Sequence, residues 1–428
     1  MIRLGWPSTR QHNSRWKKRN FICSVAVLIV LVQIYNISQV GYEDIARKLL
    51  DIGADSPRLA KPLKILALGG SITWGGKLAN PSLSSYASLL GNTHFPGSVV
   101  HNEAIRATGA SYFSLCIQSI IEGTANFVSV EDSNKRKEDA EKEPYDVILL
   151  EFAVNGLEGS DLLIRRLRQR YPGAIIIFIR LYSLVSGSEP FTMTVRNAIE
   201  ETNTILYEFH SEGAHMNKVS ADSFTKSLFS LDFHHLAENG HFHVSKKLRN
   251  IILEHLPEHS KRTEQGTWGN GDICYFWGKN GMAHPNLQMS GGSMKRLNHN
   301  KISYEFFDKA YFNYSLPETV DSSASNDAIP IYLTHMTSGN PSIYPKLRVV
   351  LNGHEEKELD PLYPQFANNH VSKSTPIGAS KAGSNTLILE SVEKDKEAPF
   401  RLWGLSVCPA CADFGTKLLQ IDATYGLV

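Results

Sequence analysis

Three polar side chains could carry out nucleophilic catalysis, although they lie far apart in the sequence. Ser71 follows the apolar run "KILALGG" (64–70), and Asp232 and His235 stand three residues apart within "LDFHHLAENGHFH" (231–243). A serine hydroxyl is a weak nucleophile and needs an adjacent base held by a carboxylate. Asp232 could bind one ring nitrogen of His235 and leave the other to take the serine proton. The pattern predicts Ser71 as nucleophile, His235 as general base and Asp232 as its partner.

Two further positions are suited to stabilising a negatively charged reaction intermediate. Gly109 lies in a turn within "NEAIRATGASY" (102–112), and Asn155 ends the apolar run "LLEFAVNG" (149–156). Backbone amides and side-chain amides are the usual donors to the oxyanion of a tetrahedral intermediate. We therefore expect Gly109 and Asn155, together with the Ser71 amide, to form an oxyanion hole.

Metal and cofactor chemistry receives little support from the sequence. The four histidines of 234–243 lack the i, i+4 pair with a carboxylate that marks a zinc helix, and His234 and His235 would point apart. "CPAC" (408–411) has no second cysteine pair or histidine pair that would complete a zinc site. We expect neither a metal ion nor a cofactor.

The elements that must position these side chains follow an alternating pattern. Fully apolar runs near 63–69, 145–153 and 174–182 predict buried strands, and helical spacing occurs at 84–90, 112–123, 161–171, 192–212 and 239–255. Buried strands separated by helices indicate a parallel sheet covered on both faces. Functional groups in such folds gather at the carboxyl ends of the strands.

With these motifs in order, the segment 63–257 resembles the SGNH (GDSL-type) hydrolase superfamily. The resemblance rests on Gly-x-Ser-x-Thr around Ser71, then Gly109, Asn155 and the late Asp232-x-x-His235. It implies an α/β fold, a three-layer α/β/α sandwich with a flavodoxin-like parallel sheet, and a serine esterase activity. Two glycines replace aspartates that are usual in the family, beside Ser71 and after Asn155. These replacements could loosen the loops around both residues.

The segment 258–428 has a different pattern of residues. Short runs such as "IPIYLTHM", "KLRVVLNG" and "FRLWGLSV" alternate apolar and polar residues between turn signals. This pattern predicts a β-rich domain of the sandwich or jelly-roll type. Its aromatic residues would allow sugar binding, and a purely structural or interface role is the alternative.

The N-terminus is typical of a membrane anchor. A basic tail (1–20) precedes an apolar segment (21–40), and a stem (41–62) follows. About 20 apolar residues can cross a bilayer, and upstream basic residues favour a cytosolic N-terminus. We expect a single-pass type II membrane protein with its body lumenal or extracellular. A cleaved secretory signal is the alternative.

Such a location would allow disulfides and glycans. Four cysteines lie beyond the anchor, Cys116, Cys274, Cys408 and Cys411, and they allow three full pairings. We expect the "CPAC" segment to form a structural disulfide, with Cys274 as one candidate partner. Asn36 and Asn313 have the form of glycan acceptor sites.

These features together predict an esterase that hydrolyses or transfers O-acyl groups, with acetyl esters on a glycan as the expected substrate. A lipid or lysophospholipid esterase is one alternative, and a catalytically weak glycan-binding or scaffold protein is another. The net charge of +1 over 428 residues gives no reason to expect nucleic acid as a partner. Nothing in the sequence encodes the oligomeric state.

Overall fold

A computed structural model describes most of the chain beyond the predicted stem. The described residues are 61–121, 144–188, 190–209, 219, 221–259, 266–268, 273–277, 282–298, 301–316, 329–363, 370–393 and 395–408. The predicted basic tail and anchor lie outside them, as does nearly all of the stem. Within these ranges, no helix combines the length and apolar character needed to cross a membrane.

The first part of the fold contains a parallel sheet, as predicted, and this sheet has five strands. Its order is β2-β1-β3-β4-β5, the flavodoxin-like order, in which β2 is added on one side of β1 and β3 to β5 on the other. Residues of β3 and nearly all of β1 and β4 are buried, as expected for strands covered on both faces. The strands are β1 (Lys64–Gly69), β2 (Val99–Asn102), β3 (Val147–Glu151), β4 (Ile175–Arg180) and β5 (Ile205–Glu208).

Eight α-helices accompany the sheet in the described residues. They are α1 (Ser71–Trp74), α2 (Pro81–Ser84), α3 (Tyr86–Leu89), α4 (Ala110–Ile121), α5 (Ser160–Arg170), α6 (Met193–Glu201), α7 (Ser223–Ser227) and α8 (Glu238–His259). The helix predicted over 192–212 was wrong in its second half. The chain leaves α6 through Asn203, which has a positive φ of 50°, and then forms the edge strand β5. The residues of β5, Ile-Leu-Tyr-Glu, are mostly half-buried, and they do not alternate between apolar and polar. No strand was therefore evident in the sequence at this point.

The C-terminal part is β-rich, as predicted, and forms two antiparallel sheets. One sheet has seven strands, with the path β15-β12-β17-β10-β9; β6 pairs with β17, and β7 pairs with β6. The other sheet has the order β14-β13-β16-β11-β8. Apolar residues of both sheets, among them Leu333, Leu402, Leu347 and Leu389, form one buried core. The strands are β6 (Ile273–Trp277), β7 (Met282–Ala283), β8 (Leu287–Ser290), β9 (Ser293–Asn298), β10 (Lys301–Phe306), β11 (Lys309–Leu316), β12 (Ile329–Ser338), β13 (Leu347–Leu351), β14 (His354–Leu359), β15 (His370–Ser380), β16 (Gly383–Ser391) and β17 (Phe400–Val407).

The described residues of the two parts share a core and belong to one compact unit. Tyr332 and Trp403 of the β-rich part belong to the same buried cluster as Phe113 of α4. A disulfide joins Cys116 of α4 to Cys274 of β6. Cys274 is therefore not bonded to the "CPAC" segment, whose Cys408 forms a disulfide of its own. The β-rich part is fixed to the α/β part by packing and by a covalent bond.

Candidate active site

Ser71 lies at the tight turn between β1 and α1, where two glycines leave no room for side chains. A Cβ added to Gly69 would lie 2.2 Å from Oγ1 of Thr73, and one added to Gly70 would lie 1.6 Å from Nδ2 of Asn155. Gly69 thus leaves room for the Thr73 side chain, and Gly70 allows Asn155 to approach the turn. Ser71 itself is 7% exposed and is the first residue of α1.

The structure brings Ser71, His235 and Asp232 together in one hydrogen-bonded row. The Ser71 Oγ lies 2.9 Å from Nε2 of His235, although 164 positions separate the two residues in the sequence. The Nδ1 of His235 lies 2.8 Å from Oδ2 of Asp232. The imidazole thus contacts the hydroxyl through one nitrogen and the carboxylate through the other. This is the geometry that a nucleophile, base and orienting carboxylate require.

A compact loop before α8 presents both members of the Asp-His pair. The Oδ1 of Asp232 accepts hydrogen bonds from the backbone amides of His234 (3.0 Å) and His235 (2.9 Å) and from the Ser230 hydroxyl (2.7 Å). Phe233 adopts a φ of 55°, a conformation that is unusual for a bulky residue. Its carbonyl accepts from the amide of Leu184, which ties the loop to the segment after β4. The loop is therefore held in place from both sides.

These contacts set the charge states of the pair. Burial alone would raise the pKa of Asp232, but hydrogen bonds from the His235 amide, the Ser230 hydroxyl, the His235 ring and the His234 amide outweigh it and hold that pKa well below its usual range. Burial lowers the pKa of His235; Asp232 opposes this effect, and the charges of Arg106 and Lys77 reinforce it. At neutral pH the row therefore contains an ionised carboxylate and a neutral imidazole, which can accept a proton.

The other histidines of 234–243 point in different directions. His234 lies 3.1 Å from the Ser183 hydroxyl, and burial lowers its pKa to about 4. His241 is fully buried against Tyr86, and the ring of His243 packs against Phe209. In the part of the chain that the structure describes, no group of three His, Cys, Asp or Glu side chains could hold a metal ion.

A cavity of about 180 Å³ opens beside Ser71. The Nδ2 of Asn155 is buried there and has no hydrogen-bond partner among the described residues. A buried amide donor without a partner is costly unless a ligand completes it. Asn155 is therefore placed to donate to an oxygen that enters the cavity. The cavity is lined by Ser71, Arg106, Ala107, Val154, Asn155, His234, His235, His370 and Val371.

Gly109 is not among the residues that line this cavity, and its part in an oxyanion hole stays a prediction. A Cβ at Gly109 would lie 3.0 Å from the carbonyl oxygens of both Asn155 and Gly156, so the glycine allows close backbone packing. Ala107 lines the cavity instead, with a φ of 55°. This left-handed conformation could not be predicted from the sequence, because alanine does not mark such a turn.

The β-rich part contributes to the cavity wall, which sequence reasoning missed entirely. His370 and Val371 of β15 line the cavity, and the amide of Ser372 donates to the carbonyl of Ala107 at 2.9 Å. One strand of the β-rich part thus holds the loop that carries Arg106 and Ala107. No local motif could reveal this contact, since more than 260 positions separate the partners.

Comparison with known proteins supports the same two-part architecture. One solved structure, a two-domain esterase active on acetylated mannans, is 14% identical, aligns with 84% of this chain and 94% of its own, and has a TM-score of 0.53. A second, the two-domain esterase co-crystallised with mannopentaose, is 15% identical over 84% and 95% of the two chains, with a TM-score of 0.50. Neither a family model nor a curated protein matches the sequence. At this identity the likeness shows a shared fold.

Proposed function

We propose that this protein is a serine esterase of the SGNH type that acts on short O-acyl groups carried by a glycan. The observation that carries the proposal is the 2.9 Å contact between Ser71 Oγ and His235 Nε2 at the wall of a cavity. Ser71 is the nucleophile, His235 the general base and Asp232 the group that orients the imidazole. Asn155 Nδ2, with the amides of Ser71 and Ala107, receives the oxyanion.

The proposed reaction proceeds through an acyl-enzyme. The Ser71 oxygen bonds to the ester carbonyl carbon while His235 Nε2 takes the hydroxyl proton. Collapse of the tetrahedral intermediate breaks the bond to the alcohol oxygen, which receives that proton from His235. His235 then takes a proton from water, which attacks the acyl-enzyme. Collapse of this second intermediate breaks the bond to Ser71, whose oxygen receives that proton from His235, and the carboxylic acid is released. If a sugar hydroxyl replaces water in this second half, the same residues transfer the acyl group.

The size and surroundings of the cavity favour a short acyl group on a sugar. About 180 Å³ is small beside the roughly 300–1,000 Å³ of common ligand pockets, so a long lipid chain would fit poorly. The wall carries arginine and histidine side chains, which bind hydroxyl groups well. Solved structures with the same two-part fold are esterases active on acetylated mannans, and this supports an acetylated glycan as substrate here.

Turnover measurements on the full chain test the proposal. Wild-type protein and the variants Ser71→Ala and Ser160→Ala are assayed on acetate, butyrate and octanoate esters and on acetylated polysaccharide. Ser160 is a matched control because it is fully buried and its hydroxyl has no partner among the described residues. We expect acetate esters to be preferred, Ser71→Ala to abolish turnover and Ser160→Ala to retain it. Tight glycan binding without turnover would instead indicate a binding protein.

We further propose that the body lies outside the cytosol, with the apolar segment 21–40 as its anchor. The disulfide between Cys116 and Cys274 supports an oxidising compartment. Alkylation of cell extracts with a maleimide, before and after reduction, tests this. We expect Cys116 and Cys274 to be protected until reduction, and their labelling without reduction would contradict it.

A further inference from the structure

Glu151 is a fully buried carboxyl group beside the turn that carries Ser71, and the proposed reaction makes no use of it. It is the last residue of β3 and pairs with Gly69, the last residue of β1. Burying a carboxyl group costs free energy unless hydrogen bonds compensate for lost hydration. Its contacts should therefore indicate what it stabilises.

The contacts of Glu151 fall on the turn around Ser71. Its Oε2 accepts a hydrogen bond from the Thr73 hydroxyl at 3.0 Å. Burial raises the pKa of Glu151 to about 7, while the Thr73 side chain and the backbones of Thr73 and Gly70 hold it down from a higher value. Thus Gly70, immediately before Ser71, and Thr73, two positions after it, both interact with the carboxyl group of Glu151.

The Thr73 hydroxyl extends these contacts toward the loop that carries the base. Because Thr73 gives its proton to Glu151, Tyr86 must donate in the 2.7 Å contact between the Tyr86 and Thr73 hydroxyls. The Tyr86 amide in turn donates to Nδ1 of His241 at 3.2 Å. His241 belongs to α8, which begins three residues after His235. A buried network thus connects the nucleophile's turn with the helix that follows the base.

We propose that Glu151 is the positioning residue that fixes the Gly70–Thr73 turn, so that Ser71 Oγ stays within reach of His235 Nε2. The inference rests on the function proposed above. Glu151 does not line the cavity, so it acts through the turn and touches no substrate. Its loss should let Ser71 drift, and a shift of about 1 Å in a reacting group can cost roughly 100-fold in rate.

The titratable groups packed around Glu151 favour this role. Tyr86 faces it through Thr73, and burial raises the pKa of Tyr86 well above its usual value. Burial lowers the pKa of His241 to about 3, so that ring is neutral. These two neighbours therefore supply no positive charge. The compensation for Glu151 comes from Thr73 and Gly70 of the turn, and its Oε1 has no hydrogen-bond partner among the described residues.

The test separates rate from binding on a small ester. Glu151→Gln keeps the size of the side chain but replaces one acceptor oxygen with a donor. We expect kcat for 4-nitrophenyl acetate to fall about 10- to 100-fold, with KM changed less than about twofold, because only the attack geometry is disturbed. Thr73→Val, which removes the hydroxyl, should lower kcat in the same way, while Thr73→Ser, which keeps it, should restore most of it.

Glu305→Gln is the matched control. Glu305 is also a buried carboxylate, on β10 of the β-rich part, and accepts hydrogen bonds from Arg401 and Ser303. We expect this variant to keep wild-type kcat, even if its melting temperature falls.

Several outcomes would overturn the inference. One is an unchanged kcat in Glu151→Gln. Another is a variant in which only KM rises while kcat stays at the wild-type value. If Glu151→Gln does not fold, the threonine pair decides, and equal kcat values for Thr73→Val and Thr73→Ser would reject the role. A wild-type protein without any esterase turnover would instead contradict the proposed function.

Discussion

At the scale of single residues, the candidate site depends on how closely Asn155 approaches Gly70. From the sequence we expected that glycine at 70 and 156, where the SGNH hydrolases that it resembles usually have aspartate, could loosen the surrounding loops. The structure shows tight packing at 70, where the Asn155 amide occupies the space of a side chain. At Gly156 the reason is conformational, because its φ is 125° and no atom lies within 4 Å of an added Cβ. Each glycine therefore has a specific structural role.

Gly70→Ala tests this close approach. The new methyl group would displace the Asn155 amide from the cavity, so we expect turnover to fall about 100-fold or more, as for loss of an oxyanion donor. The measurement is kcat on a short acetate ester, with melting temperature as the check on folding. A folded Gly70→Ala protein with wild-type kcat would show that the Asn155 amide is not needed at this position.

The pH dependence of turnover tests the charge states of the Asp-His pair. His235 accepts a proton only when it is neutral. We therefore expect kcat/KM to be maximal above the pKa of His235 and to fall as the pH drops through that pKa. Burial lowers the pKa of His235, so the midpoint should lie below about 6.5. Asp232→Asn should shift the midpoint further down, because the lost negative charge favoured the imidazolium. A midpoint above 6.5, or no acidic limb, would contradict the assignment.

At the scale of elements, four separate segments line the cavity beside Ser71, and only some of them were predictable. Buried strands 64–69, 147–151 and 175–180 were evident because their residues are continuously apolar. The Asp232-His235 spacing was evident because the carboxylate and the imidazole share one short loop. The positions of Ala107 and of β15 were not, since both depend on long-range packing that leaves no local pattern in the sequence.

Ser372→Pro tests whether β15 supports the loop of Ala107. Proline at 372 removes the amide hydrogen that Ser372 donates to the Ala107 carbonyl. Because β15 is an edge strand that already contains Pro376, we expect it to accept a second proline. We expect kcat to fall about tenfold with the fold retained, because a loop lining the cavity loses its anchor. The control is Ser372→Ala, which keeps the amide and removes a hydroxyl without a partner among the described residues. Equal activity in the two variants would argue against support from β15.

At the scale of the whole molecule, the two parts function as one body. The shared core around Phe113 and Trp403 and the bond between Cys116 and Cys274 fix β15 against the α/β part. The change in residue pattern near residue 260 correctly indicated that a β-rich segment follows an α/β segment. It could not indicate the shared core, because an aromatic residue that packs between modules looks the same in sequence as one packed within a module.

The disulfide provides a test at this scale. It closes a loop of 158 positions, and its removal in Cys116→Ser/Cys274→Ser should lower the free energy of unfolding by about 2–5 kcal/mol. Denaturant titration measures the change, and peptide mapping without reduction establishes the pairing. A map that joins Cys274 to any other cysteine would contradict the described connection between the two parts.

The most direct test of the central claim is covalent labelling of Ser71. The full chain is treated with a fluorophosphonate probe, and the modified residue is located by mass spectrometry in wild-type protein and in His235→Ala. We predict labelling of Ser71 in the wild type and its near-complete loss in His235→Ala, because the hydroxyl is reactive only beside that imidazole. Equal labelling in both proteins, or no labelling of Ser71 in the folded wild type, would contradict the account.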